Sequence, residues 1–290
     1  MKNCPAIPAT FALALLAAGL CEMGASMTSA QAQQAPPLPA IPQLMREVVE
    51  HQRQLEKVRE NYTYSATVTT QDIEAGGQVK KTETEEQEIF FVNGHPVERT
   101  VKKNGQPLID HDLDKETEHV TKLVEKAEKT PSDQPLEGQE ISVSRLLKIM
   151  DVRNERRENY RGRPAIVFDF VGRRDAQTHG LAEDASKKLQ GTLWVDEADR
   201  QIAHLDAVFN DNFHVGGGIV ANVQKGSNFH FDQALVNGEV WLPTGAEATV
   251  QARVLLVKSY RQHVTERNYD YKRFHVDAEQ GKGAKVAGAK

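Results

Sequence analysis

Histidine and carboxylate side chains are the groups in this chain whose types could bind a metal ion or transfer protons, and ten histidines are present. Asp112, Glu116 and His119 are three or four residues apart, which would place them on one face of a helix. A closed metal site needs three or four converging ligands, and no paired His-Glu-x-x-His spacing occurs, so a solvated helix face is the preferred interpretation. His204 and His230 alternate with apolar residues in predicted strands, which favours solvent-facing side chains. We therefore predict no metal site.

Nucleophile and phosphate-binding motifs are incomplete. Ser142 and Ser144 have no lysine three residues later, and no Gly-x-Ser-x-Gly sequence occurs, so serine hydrolase chemistry has no anchor. Gly216–Gly218 is followed by Ile219 and Val220 rather than by Gly-Lys-Ser or Gly-Lys-Thr, which favours a hairpin loop over a phosphate cradle. The sequence thus predicts no catalytic residue and no cofactor, and it indicates a protein that is not an enzyme.

The first 32 residues have the pattern of a cleavable export signal. Lys2 precedes an apolar run, Phe11–Leu20, and small residues lead to a cleavage site after Ala32. The apolar run is half of the roughly 20 residues that a membrane-spanning helix needs, so we predict a signal peptide over 1–32 and a periplasmic product. The alternative is a lipoprotein signal in which Cys21 would be acylated.

Composition narrows the function of the remaining chain. Cys4 and Cys21 are the only cysteines, so the processed chain would have neither disulfides nor thiolate metal sites. The net charge of −5 does not change on removal of the signal, which contains one base and one acid. A mildly acidic chain without a basic stripe argues against binding to nucleic acid. We predict no transmembrane segment after the signal, because no later stretch is apolar enough.

The order of elements predicts an α+β fold with an antiparallel sheet. Apolar residues at helical spacing predict a first helix over Gln43–Asn61, and alternation from Tyr62 onward predicts a strand. Asn93-Gly94 and Asn104-Gly105 predict tight hairpins, and Asp110–Lys129 is helical in character. Further strands joined by short turns follow: Val152–Tyr160, Ala165–Val171, Leu189–Val195, Ile202–Phe209, Asn228–Val236, Ala246–Val257 and Ser259–Tyr271.

Three further expectations concern organisation. We predict one domain over 33–275, because no proline- or glycine-rich hinge divides it, and a disordered tail over 276–290. A short apolar helix is predicted over Ile141–Met150. The acidic run Glu83, Glu85, Glu86 and Glu88 is interpreted as a solvated edge strand that is protected from aggregation.

Four short stretches together resemble the Lol lipoprotein-carrier superfamily, the group of LolA- and LolB-like proteins. They are Gly191–Asp196 (GTLWVD) with Ile202–Leu205, then Gly238–Pro243 (GEVWLP) and Tyr269–Phe274. The resemblance implies a strongly curved, incomplete antiparallel half-barrel with helices packed against its open side. It also implies a non-enzymatic carrier or chaperone that holds acyl chains of lipids or lipoproteins. The alternative within the same superfamily is a periplasmic sensor domain that binds an envelope protein.

Aromatic residues on the predicted strands are the candidate lining of such a cavity. Alternation places Phe229 and Phe231 on one face of their strand, and Phe168 and Phe170 on one face of theirs, with Asp169 opposite as an ordinary surface or paired carboxylate. The alternative is that these aromatics form the core under the helices, which is the commoner role of aromatic stripes. The six predicted lining residues are Phe168, Phe170, Trp194, Phe229, Phe231 and Trp241.

Overall fold

The computed structural model of the chain describes residues 37–131, 136, 148–216, 220–254 and 258–273. The predicted signal over 1–32, the predicted tail over 276–290 and most of the predicted helix Ile141–Met150 lie outside the described residues. The described residues from Leu38 onward belong to one compact unit. Among the described residues, no helix combines the length and apolarity that crossing a membrane requires.

Three helices and thirteen strands are present in the described part of the chain. The helices are α1 (Ile41–Arg59), α2 (Asp110–Lys129) and α3 (Leu181–Ser186). The strands are β1 (Tyr62–Ile73), β2 (Val79–Val92), β3 (His95–Lys103), β4 (Gln106–Pro107), β5 (Met150–Tyr160), β6 (Arg163–Gly172), β7 (Leu189–Asp196), β8 (Ile202–Phe209), β9 (Phe213–Val215), β10 (Ala221–Val223), β11 (Asn228–Val236), β12 (Val240–Val254) and β13 (Lys258–Arg273).

The strands form one antiparallel sheet in the order β4-β3-β2-β1-β13-β12-β11-β8-β7-β6-β5, while β9 and β10 extend it beside β12. The sheet is curved and does not close, so the protein has the predicted α+β half-barrel fold. Bulges contribute to the curvature because an extra residue bends its strand. Ala203 is the extra residue between β8 and β7, and Thr244 is the extra residue between β12 and β11.

Local sequence accounts for the tight turns and for the first helix. Asn93-Gly94 and Asn104-Gly105 both have positive φ, as hairpin turns of this length require, and the predicted hairpins are confirmed. α1 has Pro42 in its first turn, where backbone N–H groups have no partner within the helix, so proline's lack of an N–H costs nothing. The helix ends at Arg59, two residues earlier than predicted. α2 has the predicted bounds, and its buried Ala127 lies on the face that packs against β3.

The edge-strand interpretation of the acidic run is wrong. β2 lies between β1 and β3, so it is an interior strand of the sheet. Two of its glutamates pair with lysines of β3: Glu86 with Lys102 at 2.8 Å and Glu85 with Lys103 at 3.2 Å. The sequence shows the charges of each strand, but the register that aligns acids with bases depends on pairing that alternation does not predict.

Candidate ligand-binding site

The main core lies where α1 crosses the second half of the sheet. Leu44 and Val48 of α1 are fully buried against β6, where Phe168 and Phe170 also have no more than 1% of their surface exposed. Gly191 of β7 makes this packing possible, because a Cβ atom there would lie 2.7 Å from Cζ of Phe170 and 1.8 Å from the carbonyl oxygen of Asp206. This part of the sheet is closed by side-chain packing.

An apolar cleft of about 430 Å³ opens on the same face of the sheet, beside this core. Phe229 and Phe231 of β11 form its floor with Leu205 of β8, and their side chains remain partly accessible. The accessible wall is predominantly apolar. Its other lining residues are Ala182, Ala185, Ser186, Leu189, Phe209, His230, Ala246, Glu247, Ala248, Val264 and Glu266.

The short helix α3 forms one wall of the cleft through two small residues, Ala182 and Ala185. Its C-terminal end lies close to β6, because Gly172 has no side chain: a Cβ atom there would be 2.3 Å from the carbonyl oxygen of Ser186. Buried Glu183 accepts a hydrogen bond from the backbone N–H of His179 at 2.7 Å, which ties the helix to the preceding loop. α3 is therefore held beside the sheet without filling the cleft.

Next to the two phenylalanines, the floor of the cleft continues onto small residues of β12. Ala246 pairs with Phe231, and Ala248 pairs with Phe229, so each phenylalanine ring has an alanine as its neighbour. On the next strand, Val264 pairs with Ala248 and Glu266 pairs with Ala246. Since alanine leaves space above the sheet, these positions keep the cleft open on the side away from the main core.

A second, smaller cavity of about 270 Å³ lies around Trp241. The indole is buried with Leu55 of α1, and its Nε1 donates a hydrogen bond to Asp199 at 2.9 Å. Arg163 lies 5.5 Å from the centre of the indole ring and pairs with the buried Asp196. Burial works against ionisation of Asp196, but the hydrogen bond from Arg163 lowers its pKa below the usual value. The wall of this cavity is thus charged on one side.

The opposite face of the sheet carries a polar and aromatic cluster. His204 stacks on Tyr160 with ring centres 5.2 Å apart and meets Trp194 edge-on at 4.8 Å. Its Nδ1 lies 2.8 Å from Asp232, and its Nε2 lies 2.9 Å from Asp206. Only 14% of the His204 side chain is exposed, so the prediction of a solvent-facing histidine is wrong at this position. It is covered by Asp206 of its own strand, by Asp232 of the neighbouring strand β11 and by two aromatic rings.

These contacts shift two pKa values in the cluster. Burial favours neutral His204, but its hydrogen bond to Asp232 and the nearby Asp206 carboxylate raise the pKa of His204 above its usual value. Burial also opposes ionisation of Asp232, yet hydrogen bonds from His204 and Tyr160 lower the pKa of Asp232 to about 2. Each shift favours the charged form, so the two side chains stabilise each other as an ion pair.

The six predicted lining residues fall into four places. Phe229 and Phe231 line the cleft, and Phe168 and Phe170 lie in the closed core beside it. Trp241 lies in the second cavity. Trp194 lies on the opposite face, because its neighbours in β7, Leu193 and Val195, are the residues that point into the core.

Other lining residues were not predicted. Alternation along β8 would have found Leu205 and Phe209, since both share the face of the buried Ala207. Ala246 and Ala248 carry little signal, because alanine is common on either face of a strand. α3 lies within a polar segment whose structure the sequence left undetermined. Asp169, by contrast, is the predicted paired carboxylate: it accepts hydrogen bonds from Asn154, Arg156 and Thr192.

One of the three α2 residues with ligand-type side chains, Asp112, Glu116 and His119, makes a contact with the sheet. Glu116 accepts a hydrogen bond from the backbone N–H of Thr100 at 2.6 Å. It thereby fastens α2 to β3.

No family model matches the chain, and no curated protein matches it either. Solved structures do match. A putative outer membrane lipoprotein-sorting protein domain from Vibrio parahaemolyticus is 12% identical, with a TM-score of 0.34 over 81% of this chain and 95% of that one. A DUF1329 family protein from Desulfovibrio piger is 10% identical, with a TM-score of 0.32 over 82% and 95%.

A third structure, MucB in complex with MucA(peri), is 10% identical, with a TM-score of 0.22 over 79% of this chain and 94% of that one. At these identities the likeness extends to the fold alone.

Proposed function

We propose that this protein is an exported, non-enzymatic carrier or chaperone that binds an acyl chain of a lipid or lipoprotein in the apolar cleft. The observation that carries the proposal is the partly accessible Phe229–Phe231 floor, which lies beside a closed core on the same face of the sheet. The cleft volume of about 430 Å³ falls within the roughly 300–1,000 Å³ typical of small-molecule pockets.

Hydrophobic burial is the driving force of the proposed binding. Each methylene that leaves water for the cleft contributes about 0.8 kcal/mol. No covalent step is required. Glu266 lies among the lining residues, on the same face as its pairing partner Ala246, so a negatively charged head group would be directed away from it and towards solvent.

A fluorescent fatty acid tests the proposal. Chain starting at Gln33 would be titrated into dansyl-undecanoic acid, whose emission rises when the dye leaves water, and palmitate would then be added as a competitor. We expect a saturable rise that palmitate reverses. A rise that does not saturate, or one that palmitate leaves unchanged, would contradict the proposal.

Two variants of adjacent residues locate the binding. Ala248→Trp would fill the cleft beside Phe229 and should weaken binding at least about tenfold, which corresponds to 1.4 kcal/mol. Thr249→Trp is the matched control, because the next residue of β12 points to the opposite face. Its affinity should equal that of the unmodified chain. Equal weakening by both variants would place the ligand elsewhere.

Native mass spectrometry of protein purified from the cell envelope separates the carrier from the sensor alternative. Co-purified free lipid or an acylated protein would support the carrier and would identify which of the two is bound. Protein that is free of lipid but carries a stoichiometric non-acylated protein would instead support the sensor.

A further inference from the structure

Three ligand-type atoms converge on the face of the sheet opposite the cleft. Nε2 of His204 and Nδ1 of His230 both lie at hydrogen-bond distance from Oδ1 of Asp206, and the three atoms are all within 4.8 Å of one another. The strand register produces this arrangement: Asp206 of β8 is paired with His230 of β11, and His204 is two residues before Asp206 on the same face. In the described part of the chain, this is the one such group of at least three histidine, cysteine or carboxylate side chains.

The orientation of His204 is set by a second carboxylate. Nδ1 of His204 lies 2.8 Å from Oδ1 of Asp232, which leaves Nε2 directed at Asp206. Asp232 is itself held by the hydroxyl of Tyr160 at 2.6 Å and by Arg161 at 3.1 Å. Histidines that bind metal ions nearly always donate their other ring N–H to a carboxylate, a carbonyl or water. The hydrogen bonds behind His204 have this form.

The three side chains differ in their exposure to solvent. A metal site with an open coordination position needs firmly held ligands on one side and access for water on the other. His204 is confined between the rings of Tyr160 and Trp194, with 14% of its side chain exposed. Asp206 and His230 have 40% and 44% of their side chains exposed. One ligand is therefore rigid, while the other two can adjust, and the solvent side leaves room for water as a further ligand.

We propose that His204, Asp206 and His230 bind a divalent transition-metal ion of the Zn²⁺ type, with at least one coordination position open to water. Two imidazole nitrogens and one carboxylate oxygen suit Zn²⁺ and its neighbours rather than Mg²⁺ or Ca²⁺, which prefer oxygen ligands. Zn–N and Zn–O distances near 2.0–2.1 Å put tetrahedral ligand atoms about 3.3 Å apart. The 2.9 Å between His204 and Asp206 must therefore widen by a few tenths of an ångström, and the shorter separation between His230 and Asp206 must widen further. The half-exposed side chains of Asp206 and His230 allow both changes.

His263 provides an internal comparison on the same face. Its Nε2 lies 2.9 Å from Glu247, so it also forms a histidine–carboxylate pair, but it does not belong to a group of three ligands. The His263–Glu247 pair offers two ligands only. The proposed site has three, because β8 and β11 bring His204, Asp206 and His230 together. The proposed metal site lies on the face of the sheet opposite the apolar cleft.

The experiment is a calorimetric titration of Zn²⁺ into tag-free chain starting at Gln33, with Mg²⁺ as a parallel titrant. We expect one Zn²⁺ per chain and no heat of specific binding with Mg²⁺. His230→Gln should weaken Zn²⁺ at least about 100-fold, and Asp232→Asn about 10–100-fold because it frees the His204 ring. His263→Gln should leave the affinity within about twofold.

A second readout applies even where a variant fails to fold. Co²⁺ added to the unmodified chain should quench the emission of Trp194, whose ring lies 4.8 Å from His204, and excess Zn²⁺ should restore that emission. The Trp241→Phe variant isolates this signal, because the chain has two tryptophans. Absence of stoichiometric Zn²⁺ binding by the unmodified chain would overturn the proposal. Equal weakening by His263→Gln and His230→Gln would do so too.

Discussion

Two strands of this sheet carry the same pattern, a phenylalanine pair separated by one polar residue, yet the two pairs have different fates. Phe168 and Phe170 are fully buried beneath α1, whereas Phe229 and Phe231 remain partly accessible in the cleft. In both strands the polar residue between them points to the opposite face and is paired there, Asp169 with Arg156 and His230 with Asp206.

The difference lies in what covers each pair. Leu44 and Val48 of α1 fill the space above the first pair, and Gly191 lets the neighbouring strand approach closely. In the described part of the chain, the second pair is bordered by Ala182 and Ala185 of α3, and Ala246 and Ala248 lie beside it. Strand alternation thus decides which face a side chain takes, while the helix above decides whether that face becomes core or cleft.

Removing a ring from the covered pair should have the largest effect on stability. Phe168→Ala leaves a cavity in a closed core and should lower the free energy of unfolding by about 3–5 kcal/mol. Urea unfolding followed by circular dichroism measures this. A loss below about 1 kcal/mol would mean that the first pair is as loosely packed as the second.

The second-largest loss of stability is expected when a methyl group is added to β7 at Gly191, where this strand lies close to β8 and to the ring of Phe170. Gly191→Ala would place Cβ 1.8 Å from the carbonyl oxygen of Asp206, so the strands must shift, at a cost of about 1–3 kcal/mol. Gly245→Ala near the cleft is the matched control, because its Cβ would meet the carbonyl oxygen of Glu266 at 2.9 Å. Thermal unfolding should rank Gly191→Ala as the more destabilised variant, and the reverse ranking would contradict the comparison.

Removing a ring from the open pair should weaken acyl-chain binding more than it lowers the stability of the fold. Phe231→Ala should cost about 1 kcal/mol of stability, since its ring is only partly removed from water. Its affinity for dansyl-undecanoic acid should fall about tenfold, because the floor of the cleft is lost. A stability loss as large as that of Phe168→Ala, with unchanged affinity, would make the second pair ordinary core.

Replacing Asp169, the polar residue between Phe168 and Phe170, should have the smallest effect on stability, and that effect should depend on pH. The hydrogen bond from Asn154, followed by those from Arg156 and Thr192, lowers the pKa of Asp169 below its ordinary value of 3.8. A carboxylate with a lowered folded-state pKa stabilises the protein above its unfolded pKa, and that contribution is lost as pH falls through the folded value.

Asp169→Asn should therefore be less stable than the unmodified chain by less than about 1 kcal/mol at pH 7. The gap should close as the pH is lowered below 4. Unfolding midpoints measured at pH 7, 5 and 3 test this, and a gap that widens at low pH would contradict the assigned hydrogen bonds.

The sequence predicted the local features of the fold well. Hairpin dipeptides, the bounds of α2 and the faces of Phe168 and Phe229 follow from backbone preferences and from the period of a strand, which act over a few residues. The half-barrel came from the resemblance, since alternation alone does not give the order in which strands pair.

The features that the sequence missed all depend on contacts between distant segments. The interior position of β2, the burial of His204 by Asp232 and Tyr160, and the wall that α3 builds arise only when the strand register is known. Because the sequence does not give these contacts, only two of the six predicted lining residues, Phe229 and Phe231, line the cleft. Alternation assigned the four phenylalanines to faces, but it could not show that α1 covers Phe168 and Phe170 or that Trp194 lies on the opposite face.

Site-specific labelling tests the central claim most directly, which is that the open pair and not the covered pair contacts an acyl chain. Diazirine-palmitate would be bound to the chain, photoactivated, and its attachment sites mapped by peptide mass spectrometry. We predict labels on β8, β11 and β12 at Leu205–Phe209, Phe229–Phe231 and Ala246–Ala248, with palmitate preventing them. Labels concentrated around Trp241, on the opposite face near Trp194, or spread without preference would contradict the account.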